Sequence, residues 1–72
     1  MITTPFKGLH IEDEAEYIVN PFSGESCKLE PEAVAVYDYI KGCEMMGMYG
    51  DVQKGLQWFR KNFPSEYITL LD

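Results

Sequence analysis

From Glu30 onward the chain repeats its apolar residues at helical intervals. Ala33, Val36, Tyr37, Ile40 and Cys43 recur every three or four positions, while Asp38, Lys41 and Glu44 fall away from that stripe, as in a helix that buries one face. Pro31 suits the first helical position, where a missing N–H costs nothing, and Glu30 and Glu32 place negative charge at the positive end of the helix dipole. Gly47 marks the exit from this helix, with a turn through Met48, Tyr49 and Gly50. Asp51 is the expected N-cap of a second helix. There Val52, Leu56, Phe59 and Phe63 keep the apolar interval, and Gln53, Lys54, Gln57, Arg60 and Lys61 make the other side polar and positive. Gly55 in its middle costs about 1 kcal/mol relative to alanine, and a close approach of the first helix is the expected compensation. Pro64 disfavours helical geometry at Phe63, so the second helix should stop near Asn62, with a final turn or short helix over 65–71.

The first half has a different period. Tyr17 to Leu29 is rich in β-branched and alternating residues, interrupted by Asn20, Pro21, Phe22, Ser23, Gly24 and Glu25, and reads as a β-hairpin turning where Gly24 can take positive φ. Leu9, His10 and Ile11 alternate like a third, short strand. Residues 1–8, with Thr3, Thr4, Pro5 and Gly8, form an extended arm, flexible or lying at an edge. A hairpin alone is marginal in water and must lay one face against the helices. The expected fold is therefore α+β: a single domain over 1–72, in which a small antiparallel hairpin or three-stranded sheet packs on a C-terminal helical hairpin, with Tyr37, Ile40, Leu56, Phe59 and Phe63 at its centre.

Composition narrows the classes. At 72 residues, 46% of them hydrophobic, the chain is too apolar for disorder, yet a domain this small buries only about 60% of its unfolded surface. A symmetric homodimer would add burial through the spare apolar residues Met46, Met48, Tyr49 and Trp58. Twelve acids against six bases give a net charge of −6, which opposes direct attraction to nucleic acid or anionic lipid. No apolar run reaches the roughly 18 residues of a membrane span, and no secretory pattern precedes Cys27 and Cys43, so a soluble protein with reduced thiols is expected.

Chemistry-bearing residues are few. His10 is the single histidine, and with Cys27 and Cys43 it shows no metal-ligand or nucleophile–base spacing; a surface histidine and a core Cys43 are the plainer readings. No catalytic residue, cofactor or metal is assigned, and the chain is read as a non-enzyme. Glu12, Asp13, Glu14 and Glu16 form an acidic run that is either a solvated edge or a surface for a basic partner, where it would speed encounter. Met45, Met46 and Met48, with Tyr49, either fill the helix corner or offer an adaptable contact patch. Trp58 beside Arg60 and Lys61 could stack on a nucleobase, although a partly buried tryptophan beside a solvated basic face is the commoner arrangement.

The segments Asn20, Pro21, Phe22, Ser23, Gly24, Glu25, then Leu29, Pro31, Glu32, Ala33, Val34, and the ending Trp58, Phe59, Arg60, Lys61, Asn62, Phe63, Pro64 carry a likeness. Over about residues 17 to 72 the chain resembles short uncharacterised acidic proteins of tailed bacteriophages. The resemblance implies a viral setting in the host cytoplasm, where small acidic chains bind and redirect a host protein, and it transfers no site residue. The leading expectation is a noncatalytic protein-binding module that occupies a host protein, such as a basic nucleic-acid-binding protein, through Glu12, Asp13, Glu14, Glu16, Met48, Tyr49 and Trp58. Its strongest form is a mimic of DNA charge. The alternatives are a virion or assembly component making subunit contacts, and a weak nucleic-acid binder acting through the second helix.

Overall fold

The computed structural model describes residues 3–71. Two strands and three helices follow in the order β1 (Glu16–Val19), β2 (Ser26–Leu29), α1 (Pro31–Met46), α2 (Tyr49–Asn62) and α3 (Pro64–Leu70). The fold is α+β, with the helices packed on a two-stranded antiparallel hairpin.

The hairpin pairs Glu16 with Leu29, Tyr17 with Lys28, Ile18 with Cys27 and Val19 with Ser26. Its loop is closed by Asn20, whose N–H donates to Glu25 O and whose side-chain oxygen accepts from Phe22 N. Gly24, at φ 79°, makes the return. The Asn20 side-chain amide also donates to Thr69 O, tying the turn to the last helix. Because side chains alternate along a strand, Ile18, Cys27 and Leu29 face the helices, and Tyr17, Val19 and Lys28 face outward.

Helix α1 starts at Pro31 as the sequence predicts, with Val34 N donating to Glu30 O. It ends in a left-handed Gly47, where Gly47 N donates to Glu44 O and Met48 N to Cys43 O, a Schellman closure that leaves a corner of only two residues. Helix α2 consequently begins at Tyr49, and Met48, not Asp51, occupies its N-cap. Asp51 lies in the first turn, where its carboxylate accepts a 2.9 Å hydrogen bond from the Tyr39 hydroxyl. That bond, with burial second, pushes the Tyr39 pKa up to about 12. Phe63 both closes α2, donating to Phe59 O, and precedes α3, whose first residue is Pro64.

The core comprises Leu29, Ala33, Val34, Val36, Tyr37, Ile40, Cys43, Val52, Phe59, Phe63 and Leu70. The α1 stripe predicted from spacing is buried throughout. Leu56 sits half-buried beside the core, and Leu29, at 0% exposure, takes a central place that periodicity did not give it. At Gly55 the Ile40 side chain of α1 packs close against α2: a Cβ built there would stand 2.6 Å from Ile40 Cγ1. Leu9–Ile11 is not a strand, and Ile11 is exposed, because the only sheet among the described residues is the hairpin. Residues of the arm lie on the helices instead, with the Phe6 ring 4.3 Å from that of Tyr39 and Thr3 O accepting from Trp58 Nε1 at 2.7 Å. Among the described residues, no helix is long and apolar enough to cross a membrane.

Candidate functional site: an acidic groove

The loop between the arm and β1 runs past the first half of α1, and an open groove of about 730 Å³ lies between them. One wall carries His10, Glu12, Asp13, Glu14, Ala15 and Glu16; the other is the α1 face formed by Pro31, Val34, Ala35 and Asp38. All four acids of the sequence-predicted run thus border one depression, joined by Asp38 from the helix. His10 Nε2 stands 3.2 Å from Glu12 Oε1, both exposed. The arrangement is a negative rim over a small apolar floor, without a lysine or arginine among its lining residues.

The helix half of this groove had a legible signal. Pro31, Val34, Ala35 and Asp38 recur at three and four positions, a second stripe on α1 beside the core stripe. Asp38, on the polar side of the core stripe, lies against the acidic loop, a proximity that the spacing on α1 does not reveal.

The remaining predicted contact residues lie elsewhere. Met45, Met46, Met48 and Tyr49 are all exposed at the α1–α2 corner, so they do not fill it. The Schellman turn closes the corner with backbone hydrogen bonds from Gly47 and Met48. Trp58 is nine residues beyond Tyr49 on α2, about 14 Å along the helix axis. Its indole is taken up within the molecule, donating to Thr3 O and packing against Phe59 and Phe63. Arg60 lies over the Tyr67 ring at 5.9 Å.

Cys43 is buried in α1 and Cys27 half-buried in β2, both as free thiols. Burial, and then the nearby Glu66 charge, raise the Cys27 pKa above its ordinary value. Among the described residues, no group of three or more His, Cys, Asp or Glu side chains is placed to hold a metal ion. No protein-family model, curated protein or solved structure matches the chain.

Proposed function

We propose that this chain is a noncatalytic protein-binding module whose acidic groove receives a basic segment of a partner protein. The observation that supports the reading is the convergence of Glu12, Asp13, Glu14, Glu16 and Asp38 around the apolar floor of Pro31, Val34 and Ala35. A segment in which Lys or Arg alternates with small aliphatic side chains matches both features. The carboxylates raise the encounter rate and disfavour acidic competitors, and the floor rewards burial once the segment is seated. In a phage setting the fitting partner is a host nucleic-acid-binding protein, whose basic surface already suits phosphates and accepts carboxylates in their place.

Stopped-flow fluorescence with a labelled Lys/Arg-rich peptide tests the reading. Charge reversal at Glu12, Asp13 and Glu14 should slow association at least about tenfold and flatten its dependence on salt. Binding that ignores both the triple reversal and ionic strength refutes it.

A further inference from the structure

We infer that the free edge of β1 is a self-association surface, through which two copies join their hairpins into one four-stranded antiparallel sheet. The edge adjoins the acidic groove at Glu16, but the pairing residues Tyr17 and Val19 lie outside the groove, so the association does not depend on what the groove binds.

The hydrogen bond from Asn20 N to Glu25 O sets the phase of the hairpin ladder. Bonded and non-bonded positions alternate in an antiparallel pair, so Ile18 with Cys27 and Glu16 with Leu29 are the bonded pairs. The N–H and C=O of Tyr17 and Val19 therefore point away from β2. Among the described residues, no backbone or side-chain hydrogen bond from outside the hairpin reaches them. Their side chains stand out from the sheet, 74% exposed for Tyr17 and 56% for Val19. Edge strands are guarded by shortness, charge, proline or a bulge; β1 is short and carries Glu16 at its start, but between Tyr17 and Val19 it has no charged residue, proline or bulge.

The edge is complementary to itself in one register. With Ile18 on a two-fold axis, Tyr17 faces Val19 of the second copy and Val19 faces its Tyr17, so the outward backbone groups of both copies satisfy one another in reciprocal pairs. Each such pair sets an aromatic ring across from a β-branched side chain, a favourable cross-strand combination. Glu16 falls opposite Asn20, so no two carboxylates of the strands confront each other. A two-stranded hairpin gains most from such extension. The net charge of −6 on each copy opposes association, so this contact tightens with added salt, whereas binding of a basic segment weakens.

Sedimentation equilibrium of the full chain over about a hundred-fold range of concentration, at low and high salt, combined with residue-resolved amide exchange, tests the inference. A monomer–dimer equilibrium is expected, shifted toward dimer by salt, with the Tyr17 and Val19 amides protected in step with the dimer fraction. Val19→Pro removes an outward N–H that the monomer does not use; it should raise the dissociation constant about thirty-fold, since two hydrogen bonds are lost per dimer. Tyr17→Lys, which leaves the backbone intact, should raise it at least about tenfold by guarding the edge with charge. A monomer at every concentration and salt, a dimer protected at Met45–Tyr49 and not at Tyr17 and Val19, or a dissociation constant unmoved by both variants overturns it.

Discussion

Tyr39, on α1, donates its hydroxyl to Asp51, in the first turn of α2, at 2.9 Å. The bond uses a carboxylate that the two-residue corner would otherwise leave without a partner in α1, and it fixes how the two helices are rotated against each other. It also gives the fold an alkaline limit. The Tyr39 pKa is raised to about 12 from an ordinary value of 10.0, chiefly by this hydrogen bond. Below pH 10 the phenol is neutral in both states and its contribution is fully present; as pH climbs from 10 through about 12, ionisation in the unfolded chain draws the equilibrium away from the native state. Urea unfolding of the wild type and Tyr39→Phe at stepped pH should show a stability difference that is flat to pH 10 and shrinks above it. A difference that does not change with pH would remove Tyr39 as the cause.

Gly55→Ala should destabilise although alanine is the better helix former. The propensity gain is about 1 kcal/mol, but the new methyl meets Ile40 Cγ1 at 2.6 Å and Cδ1 at 2.9 Å in a side chain that is fully buried. Overpacking of that kind costs about 1–3 kcal/mol, so a net loss of about 1 kcal/mol is expected. In a double-mutant cycle with Ile40→Val, which deletes Cδ1, the two changes should cost less together than their sum.

Leu29→Ala should be among the most damaging single changes. The side chain is 0% exposed where the sheet meets the helices, and large-to-small replacement at such sites costs about 3 kcal/mol. A domain this small holds only roughly 3–5 kcal/mol in all, so thermal unfolding should begin near ambient temperature. A melting curve close to wild type would mean that the site collapses around the missing atoms.

Cys27 should alkylate more slowly than a free thiol at neutral pH, because burial and the Glu66 charge both oppose its thiolate. Glu66→Gln removes the smaller cause and should speed the reaction modestly. Iodoacetamide labelling followed by mass spectrometry distinguishes Cys27 from the buried Cys43.

What the sequence disclosed was set by local chemistry. Pro31, Gly47 and Pro64 punctuate the helices through constraints on single residues, and each element boundary near them falls where those constraints put it. Asp51 is not the cap that its side chain suggests, because the Gly47 turn finishes in two residues and starts α2 before the better capping side chain arrives. Leu9–Ile11 is no strand for a tertiary reason: three alternating residues make a strand only beside a partner, and among the described residues none pairs with them. The acidic run was visible as a run. Its meeting with Pro31, Val34, Ala35 and Asp38 was not, since that depends on how the loop drapes over α1.

The two-residue corner at Gly47 and Met48 also bears on the order of assembly. A helical hairpin closed by so short a connection needs little loop entropy, so α1 and α2 can dock before the strands find them. Substitutions at the Ile40–Gly55 crossing should then slow refolding, while those at Leu29 should mainly hasten unfolding, a division that chevron plots would display. The strands would be the last part to arrive and the first to leave, and their departure and return would set the native lifetime of the whole chain.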